Sequence, residues 1–126
     1  MRSTSRWGAA FLALMPVLGS GPASAAGDAG HGKEIYDTRC SACHSLDANR
    51  VGPMHRGVYG RKAGSVPGYA YSAGVKASTV IWTEETLDQW LTQPRAFIPG
   101  AKMTFHLGQK ADRDDVIAYL KQESGK

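Results

Sequence analysis

Hydrophobic residues recur at helical spacing near the middle of the chain. Leu87, Trp90 and Leu91 stand three and four residues apart, which places them on one face of a helix. Thr83 precedes them, and its hydroxyl suits an N-cap, with two glutamates next in the first turn. The pattern predicts a helix that begins after Thr83 and ends by Gln93, because a proline follows.

A second amphipathic segment lies near the C terminus. Its apolar side consists of Val116, Ile117, Tyr119 and Leu120. Asp112 is the expected N-cap, with two more aspartates in the first turn. The pattern predicts a last helix, separated from the preceding one by a loop from Pro94 to Lys110.

The first part of the chain is richer in turn residues. Residues 27–38 combine Ile35 and Tyr36 with polar neighbours, which is typical of a short helix. Residues 46–80 are then punctuated by glycine, at positions 52, 57, 60, 64, 68 and 74. We expect a run of turns there, with one helical turn opening at Ser72. Such long loops rarely close a core unaided, so a large buried cofactor is expected at the centre.

Residues 1–26 have the features of an export signal. Arg2 and Arg6 precede an apolar stretch over residues 9–18, and small residues follow at 23–25. The stretch is shorter than the roughly 20 residues of a membrane span, which argues against the alternative of an uncleaved anchor. We expect cleavage near residue 26, one domain over residues 27–126, and a periplasmic location.

The composition narrows the chemistry. The chain has 126 residues, room for one domain, and a formal net charge of +4 that falls to +2 without Arg2 and Arg6. Cys40 and Cys43 are its only cysteines. They are too few for a multi-bridge disulfide framework, a four-cysteine zinc site or a cysteine-ligated iron–sulfur cluster. The two cysteines therefore act as a pair.

The pair belongs to a Cys40-Ser41-Ala42-Cys43-His44 segment, the C-x-x-C-H pattern of covalent haem attachment. On a helical turn Cys40, Cys43 and His44 face one side, so two thioethers and an axial imidazole can meet one haem. Two alternatives remain open. A dithiol redox pair lacks the expected β-α-β pattern, and a zinc site has too few well-spaced ligands. The motif favours haem.

Further motifs extend this interpretation along the chain. They are Gly52-Pro53, Gly60-Arg61-Lys62-Ala63-Gly64, Pro67-Gly68-Tyr69-Ala70-Tyr71, Ile81-Trp82, Gln93-Pro94 and Ile98-Pro99-Gly100-Ala101-Lys102-Met103-Thr104-Phe105. With the C-x-x-C-H segment they make the chain, from about Gly30 to Leu120, resemble the class I c-type cytochromes of mitochondria and bacterial periplasm. The resemblance implies an all-α fold of a few short helices and long loops wrapped around one covalent haem.

The resemblance also implies roles for individual residues. Cys40 and Cys43 would hold the haem, with His44 and Met103 as the axial iron ligands. The carbonyl of Pro53 would accept a hydrogen bond from the His44 imidazole. The residues that would lie around the haem propionates are Arg61, Tyr71 and Trp82. A neutral thioether ligand favours ferrous iron and raises the reduction potential.

The chain departs from the family pattern at three places. Ala101 stands where the family commonly has threonine, Trp90 where it has a tyrosine near the methionine, and the segment between His44 and Gly52 is about three residues shorter. Three other histidines are expected in solvated or packing roles: His31, His55 and His106. His106 is the one expected to replace Met103 if that loop opened.

Two filled axial positions favour a one-electron carrier, not an enzyme. The expected partners are redox proteins with acidic surfaces: a cytochrome bc-type complex or periplasmic dehydrogenase as donor, and a terminal oxidase or reductase as acceptor. Basic residues free of nearby acids in sequence support this, at Arg61, Lys62, Lys76, Arg95, Lys102 and Lys110. The alternatives are a haem peroxidase or gas-binding protein with a labile Met103, and a fixed subunit of one dehydrogenase. We expect a monomer that neither binds nucleic acid nor inserts stably into a membrane.

Overall fold

Short helices and long loops make up the fold. The computed structural model describes residues 27–126, and its helices are α1 (Ala29–Ile35), α2 (Ala73–Ala77), α3 (Glu84–Thr92), α4 (Pro94–Phe97) and α5 (Lys110–Ser124). Helix α1 runs directly into a π-helical turn, Tyr36–Cys40. Within residues 27–126 the β-structure is one isolated bridge between Lys62 and Ile81. The predicted all-α class is confirmed.

The crossing of α1 and α5 joins the two ends of the domain. Gly32 lies so close to α5 that a Cβ built on it would meet the carbonyl oxygen of Asp115 at 1.9 Å. Next to this contact, the rings of Tyr36 and Tyr119 pack with centroids 5.4 Å apart. Because the π-helical turn follows α1 without a break, this crossing fixes where Cys40 lies.

Polar contacts at the start of α1 reinforce the crossing. The Asp28 carboxylate caps α1 by accepting hydrogen bonds from the backbone N–H groups of Gly30 and His31. Asp115 of α5 accepts from the Asp28 N–H at 2.7 Å and from His31 Nδ1 at 2.6 Å. One α5 carboxylate thus ties down the first turn of α1.

The helix predicted after Thr83 is confirmed. Thr83 caps α3 and exchanges hydrogen bonds with Thr86 in a reciprocal capping box. Leu87 and Leu91 are buried, as their spacing predicts. The predicted helical turn at Ser72 is also present, since the Ser72 hydroxyl caps α2.

Two boundary predictions were wrong. The segment expected to be a loop from Pro94 to Lys110 begins with α4, because proline at the first helical position needs no N–H partner. Helix α5 begins at Lys110, with Gln109 as its N-cap, so Asp112 lies in the first turn and is not the cap. The predicted apolar side of α5 is buried as expected: Val116, Ile117, Tyr119 and Leu120.

The expected export signal, residues 1–26, lies outside the described residues. None of the helices found in residues 27–126 has the length and apolar character needed to cross a bilayer.

The His31–Asp115 pair should make stability depend on pH. The hydrogen bond to Asp115 raises the pKa of His31, so the stabilisation is complete below the ordinary value of about 6.5 and is lost as pH rises through the raised pKa. We therefore expect the free energy of unfolding to decline above about pH 6.5, and His31→Asn to weaken that decline. Denaturant titrations of the holoprotein across this pH range measure it.

The matched control is His106→Asn, because His106 is an exposed histidine outside the α1–α5 crossing. It should leave the decline intact. An unchanged pH profile in His31→Asn would contradict the assignment.

Candidate functional site

The loops and helices enclose an apolar cavity of about 420 Å³. Its walls come from the π-helical turn, the glycine-rich loops, α3, α5 and the segment around Met103. All eight residues singled out in the sequence line this one cavity: Cys40, Cys43, His44, Pro53, Arg61, Tyr71, Trp82 and Met103. The structure thus brings together residues that lie up to 63 positions apart in the sequence.

The two cysteines lie on one turn at the cavity wall. The N–H groups of Cys43 and His44 both donate to the Cys40 carbonyl, at 3.1 and 2.9 Å, which forms one hydrogen-bonded turn directly after the π-helical turn. Burial raises the pKa of the Cys40 thiol to about 11. A dithiol oxidoreductase needs a lowered thiol pKa, so this environment argues against the redox-pair alternative.

His44 is held by a backbone acceptor. Its Nδ1 donates to the Pro53 carbonyl at 2.9 Å, which leaves Nε2 as the nitrogen available to a metal. Burial lowers the pKa of His44 and so favours the neutral imidazole that metal ligation requires. Gly52 makes room for this ring, since a Cβ there would lie 2.1 Å from His44 Cε1.

The segment that carries Met103 is anchored on both sides. Arg95 Nε donates to the Ala101 carbonyl at 3.1 Å, and Lys102 Nζ donates to the Ala70 carbonyl at 2.8 Å. Beyond the methionine, the Leu107 N–H donates to the Leu91 carbonyl at 2.7 Å. The guanidinium of Arg39 also lies over the Phe105 ring, 5.6 Å from its centroid. These four contacts hold the segment against four other parts of the domain: α4, the loop at Ala70, α3 and the π-helical turn.

Polar and aromatic side chains complete the walls. Arg61 donates to the carbonyls of Met54 and Arg56, at 2.8 and 3.0 Å. The Tyr71 hydroxyl accepts from the Val66 N–H at 3.0 Å, which keeps its own proton free to be donated. Trp82 is buried.

Trp90 packs on Trp82 with centroids 5.4 Å apart. The two indoles form one aromatic wall of the cavity.

Comparison with known proteins decides the family. The family model described as "Cytochrome c" matches residues 29–124. Cytochrome c of Euglena viridis is 45% identical over 98 residues, covering 75% of this chain and 96% of that protein. Cytochrome c 2.1 of Caenorhabditis elegans is 47% identical over 104 residues, covering 80% and 94%. The chain belongs to the cytochrome c family. A solved structure, cytochrome cH from Methylobacterium extorquens, superposes with a TM-score of 0.73 at 42% identity, covering 76% of this chain and 99% of that one.

Membership in the cytochrome c family implies one covalently bound haem c, and the cavity fits such a group. Its walls are mainly apolar, and they include two cysteines and a histidine whose Nε2 is free. Gly52 has no side chain and so leaves room for the histidine ring. In residues 27–126, no three His, Cys, Asp or Glu side chains are grouped to bind a metal ion alone. The zinc alternative therefore lacks a ligand set, whereas a porphyrin supplies four nitrogens of its own.

Among the cavity-lining residues that the sequence analysis did not assign to the site are three polar ones with long-range contacts: Tyr36, Arg39 and His55. His55 was expected in a solvated or packing role, and packing is what the structure shows, with its ring stacked on His44. Tyr36 and Arg39 precede the cysteines and carry no motif of their own. Their partners, His55 and Phe105, are distant in sequence, so no local signal reveals these contacts.

Gly52→Ala should disturb the His44 side of the cavity. The added Cβ overlaps the His44 ring, which contacts the Pro53 carbonyl and the His55 ring. Moving the His44 ring away from the new Cβ therefore weakens both contacts. We expect a loss of about 1–3 kcal/mol in the free energy of unfolding of the holoprotein. Denaturant unfolding measures it.

Gly108→Ala is the matched control, because a Cβ there meets nothing within 4 Å. It should leave the free energy of unfolding close to the wild-type value. Equal stability of the two variants would show that Gly52 does not shape the site.

Proposed function

We propose that this cytochrome carries single electrons between periplasmic redox partners, with His44 and Met103 as axial iron ligands. Cys40 and Cys43 would hold the haem through two thioethers. The observation that carries the proposal is that all four side chains line one apolar cavity. When bound, the haem supplies an iron centre that gains or loses one electron.

The surroundings of His44 suit a permanent ligand. The Pro53 carbonyl fixes which nitrogen bears the proton and makes the imidazole a better donor. Burial keeps the ring neutral. His44 is thereby prepared as a ligand by groups of its own chain.

The anchoring of the Met103 loop favours a carrier over a peroxidase or gas-binding protein. A labile ligand would need a loop that opens readily, and such loops make few stabilising contacts. Here the Arg95 side chain donates to the Ala101 carbonyl of the loop. The Lys102 side chain and the Leu107 N–H donate to carbonyls of other segments, those of Ala70 and Leu91. The anchored loop supports a methionine that stays in place in both oxidation states.

The donors around the cavity suit the haem propionates. Arg61 retains further N–H donors beyond its two carbonyl partners, and Tyr71 retains its hydroxyl proton. Charge-assisted hydrogen bonds of this kind offset the cost of burying a carboxylate. We assign Arg61, Tyr71 and Trp82 to this role.

The proposed location and partners rest on sequence and charge. The pattern of residues 1–26 supports export to the periplasm, which cell fractionation of the full-length chain checks.

Two exposed basic residues at the cavity wall, Arg39 and Lys102, form a cationic rim. Lys110 adds little positive charge near this cationic rim, because its Nζ pairs with the Asp114 carboxylate at 2.7 Å. The cationic rim supports docking to acidic surfaces of a membrane cytochrome complex, oxidase, reductase or dehydrogenase.

Met103→Ala tests the ligand assignment. Loss of the thioether should abolish the far-red sulfur–iron absorption band of the oxidised protein and lower the reduction potential, because the ferrous state loses its preferred ligand. Spectroelectrochemical titration measures both.

Met54→Ala is the matched control, since Met54 is a partly buried methionine outside the cavity lining. It should retain the band. An unchanged absorption spectrum in the Met103→Ala protein would show that Met103 is not an iron ligand. Rapid carbon monoxide binding by the reduced wild-type protein would instead favour the gas-binding alternative.

The cationic rim predicts a salt effect on electron transfer. Reduction or oxidation by an anionic small-molecule complex should slow as ionic strength rises, whereas reaction with a cationic complex should accelerate. Lys102→Gln should weaken both trends, because Lys102 is an exposed lysine at the cavity wall. Stopped-flow rates at several salt concentrations measure this.

Lys121→Gln removes the same charge from α5, where Lys121 lies against Tyr59 outside the cavity lining. It should change the salt dependence less. Rates that do not respond to salt would overturn electrostatic docking.

A further inference from the structure

A second histidine ring lies flat against His44. The His55 and His44 rings are stacked, with centroids 3.9 Å apart and planes inclined by 18°. His55 also lines the cavity. The two histidines are 11 positions apart, and the segments that carry them are joined by hydrogen bonds from the Gly52 N–H to the Cys43 carbonyl, at 2.8 Å, and from the His55 N–H to the Ser45 carbonyl, at 3.0 Å.

His55 is itself held from the other side. Its Nδ1 shares a 3.0 Å hydrogen bond with the Tyr36 hydroxyl, and the two rings meet edge to face. Tyr36 is buried, with 4% of its surface exposed, and packs on Tyr119 at the α1–α5 crossing. A continuous series of contacts therefore runs from the helix crossing through Tyr36 and His55 to His44.

The stacked His55 ring restricts the orientation of the His44 ring in a way that the hydrogen bond to Pro53 does not. A hydrogen bond at Nδ1 fixes one atom of the His44 ring, but the ring can still rotate about that contact. A parallel ring at 3.9 Å restricts the plane itself. We propose that His55, held by the Tyr36 hydroxyl, is a positioning residue that sets the plane of the His44 ring and, through that plane and its own polarity, tunes the reduction potential, an inference that rests on the proposed role of His44 as a ligand.

The physical basis is the control that outer groups exert on a metal ligand. Neighbours that fix the orientation of a ligating imidazole also tune its donor strength. His55 adds a polar ring beside His44, and an apolar replacement makes the surroundings less polar. A less polar site favours the iron state of lower charge, so loss of His55 should raise the potential.

The test compares His55→Leu, Tyr36→Phe and the double variant as holoproteins. Proton NMR of the oxidised form reports the plane of the axial imidazole through the paramagnetically shifted resonances, and a redox titration gives the potential. His55→Leu should alter the shift pattern and raise the potential. Tyr36→Phe should alter the pattern less, and should add nothing in the His55→Leu background, because its hydroxyl acts through His55.

Tyr119→Phe is the matched control. It makes the same chemical change in the same aromatic cluster, and its hydroxyl forms no hydrogen bond with any residue of the described part of the chain. It should change neither the NMR pattern nor the potential. If His55→Leu fails to fold, the comparison of Tyr36→Phe with Tyr119→Phe decides the question alone.

The inference is overturned if His55→Leu or Tyr36→Phe lowers stability while both the NMR pattern and the potential stay at wild-type values. That outcome would make the pair a packing contact only. Failure of the proposed function looks different, because the wild-type protein would then lack histidine–methionine spectra or reversible one-electron chemistry. The two failures are therefore distinguishable in the same experiment.

Discussion

The apolar cavity is the constraint on which the rest of the fold depends. No helix forms between the π-helical turn and α2, so residues 41–72 have few means of burying a core among themselves. Leucines of α3 and α5 turn toward the same space, among them Leu87, Leu91 and Leu120. Helices and loops thus line one shared apolar cavity. The haem c that family membership implies would therefore form part of the hydrophobic core as well as the redox centre.

Loops of this length contain many backbone carbonyls without helical partners, and cationic side chains donate to several of them. Arg50 donates to the carbonyls of Ser41 and His44, and Arg113 to those of Leu107 and Gly108. Arg61, Arg95 and Lys102 do the same around the cavity. Hydrogen bonds to charged groups contribute about 1.5–3 kcal/mol each. Part of the basic character of the sequence thus stabilises loops, independently of any partner.

Local chemistry explains which elements could be predicted. Thr83 and Ser72 cap helices because a hydroxyl satisfies a nearby N–H, a property visible in sequence. The helix end before Pro94 was predicted correctly, but the loop expected from Pro94 onward was wrong, because the proline that ends one helix also begins the next by the same lack of an N–H. Asp112 was misinterpreted as a cap because an acid in the first turn looks the same in sequence. The cavity-lining set was predicted from motif resemblance, whereas the partners of His55 depend on tertiary contacts alone.

The two sides of the cavity are held in different ways, and this difference bears on function. The His44 ring donates its Nδ1 hydrogen bond to the carbonyl of Pro53, nine residues away, so this support persists as long as the local segment between them keeps its conformation. Met103 depends on contacts that span the domain, such as Lys102 with Ala70, 32 residues apart, and Arg39 with Phe105. Each of these contacts joins the loop to another part of the domain, so opening the loop requires that they break together. Under the proposed ligand assignment, Met103 lies at the cavity only while these contacts hold. The anchors of the loop would then help to decide whether the iron keeps its methionine ligand, as a one-electron carrier requires, or becomes accessible to other ligands.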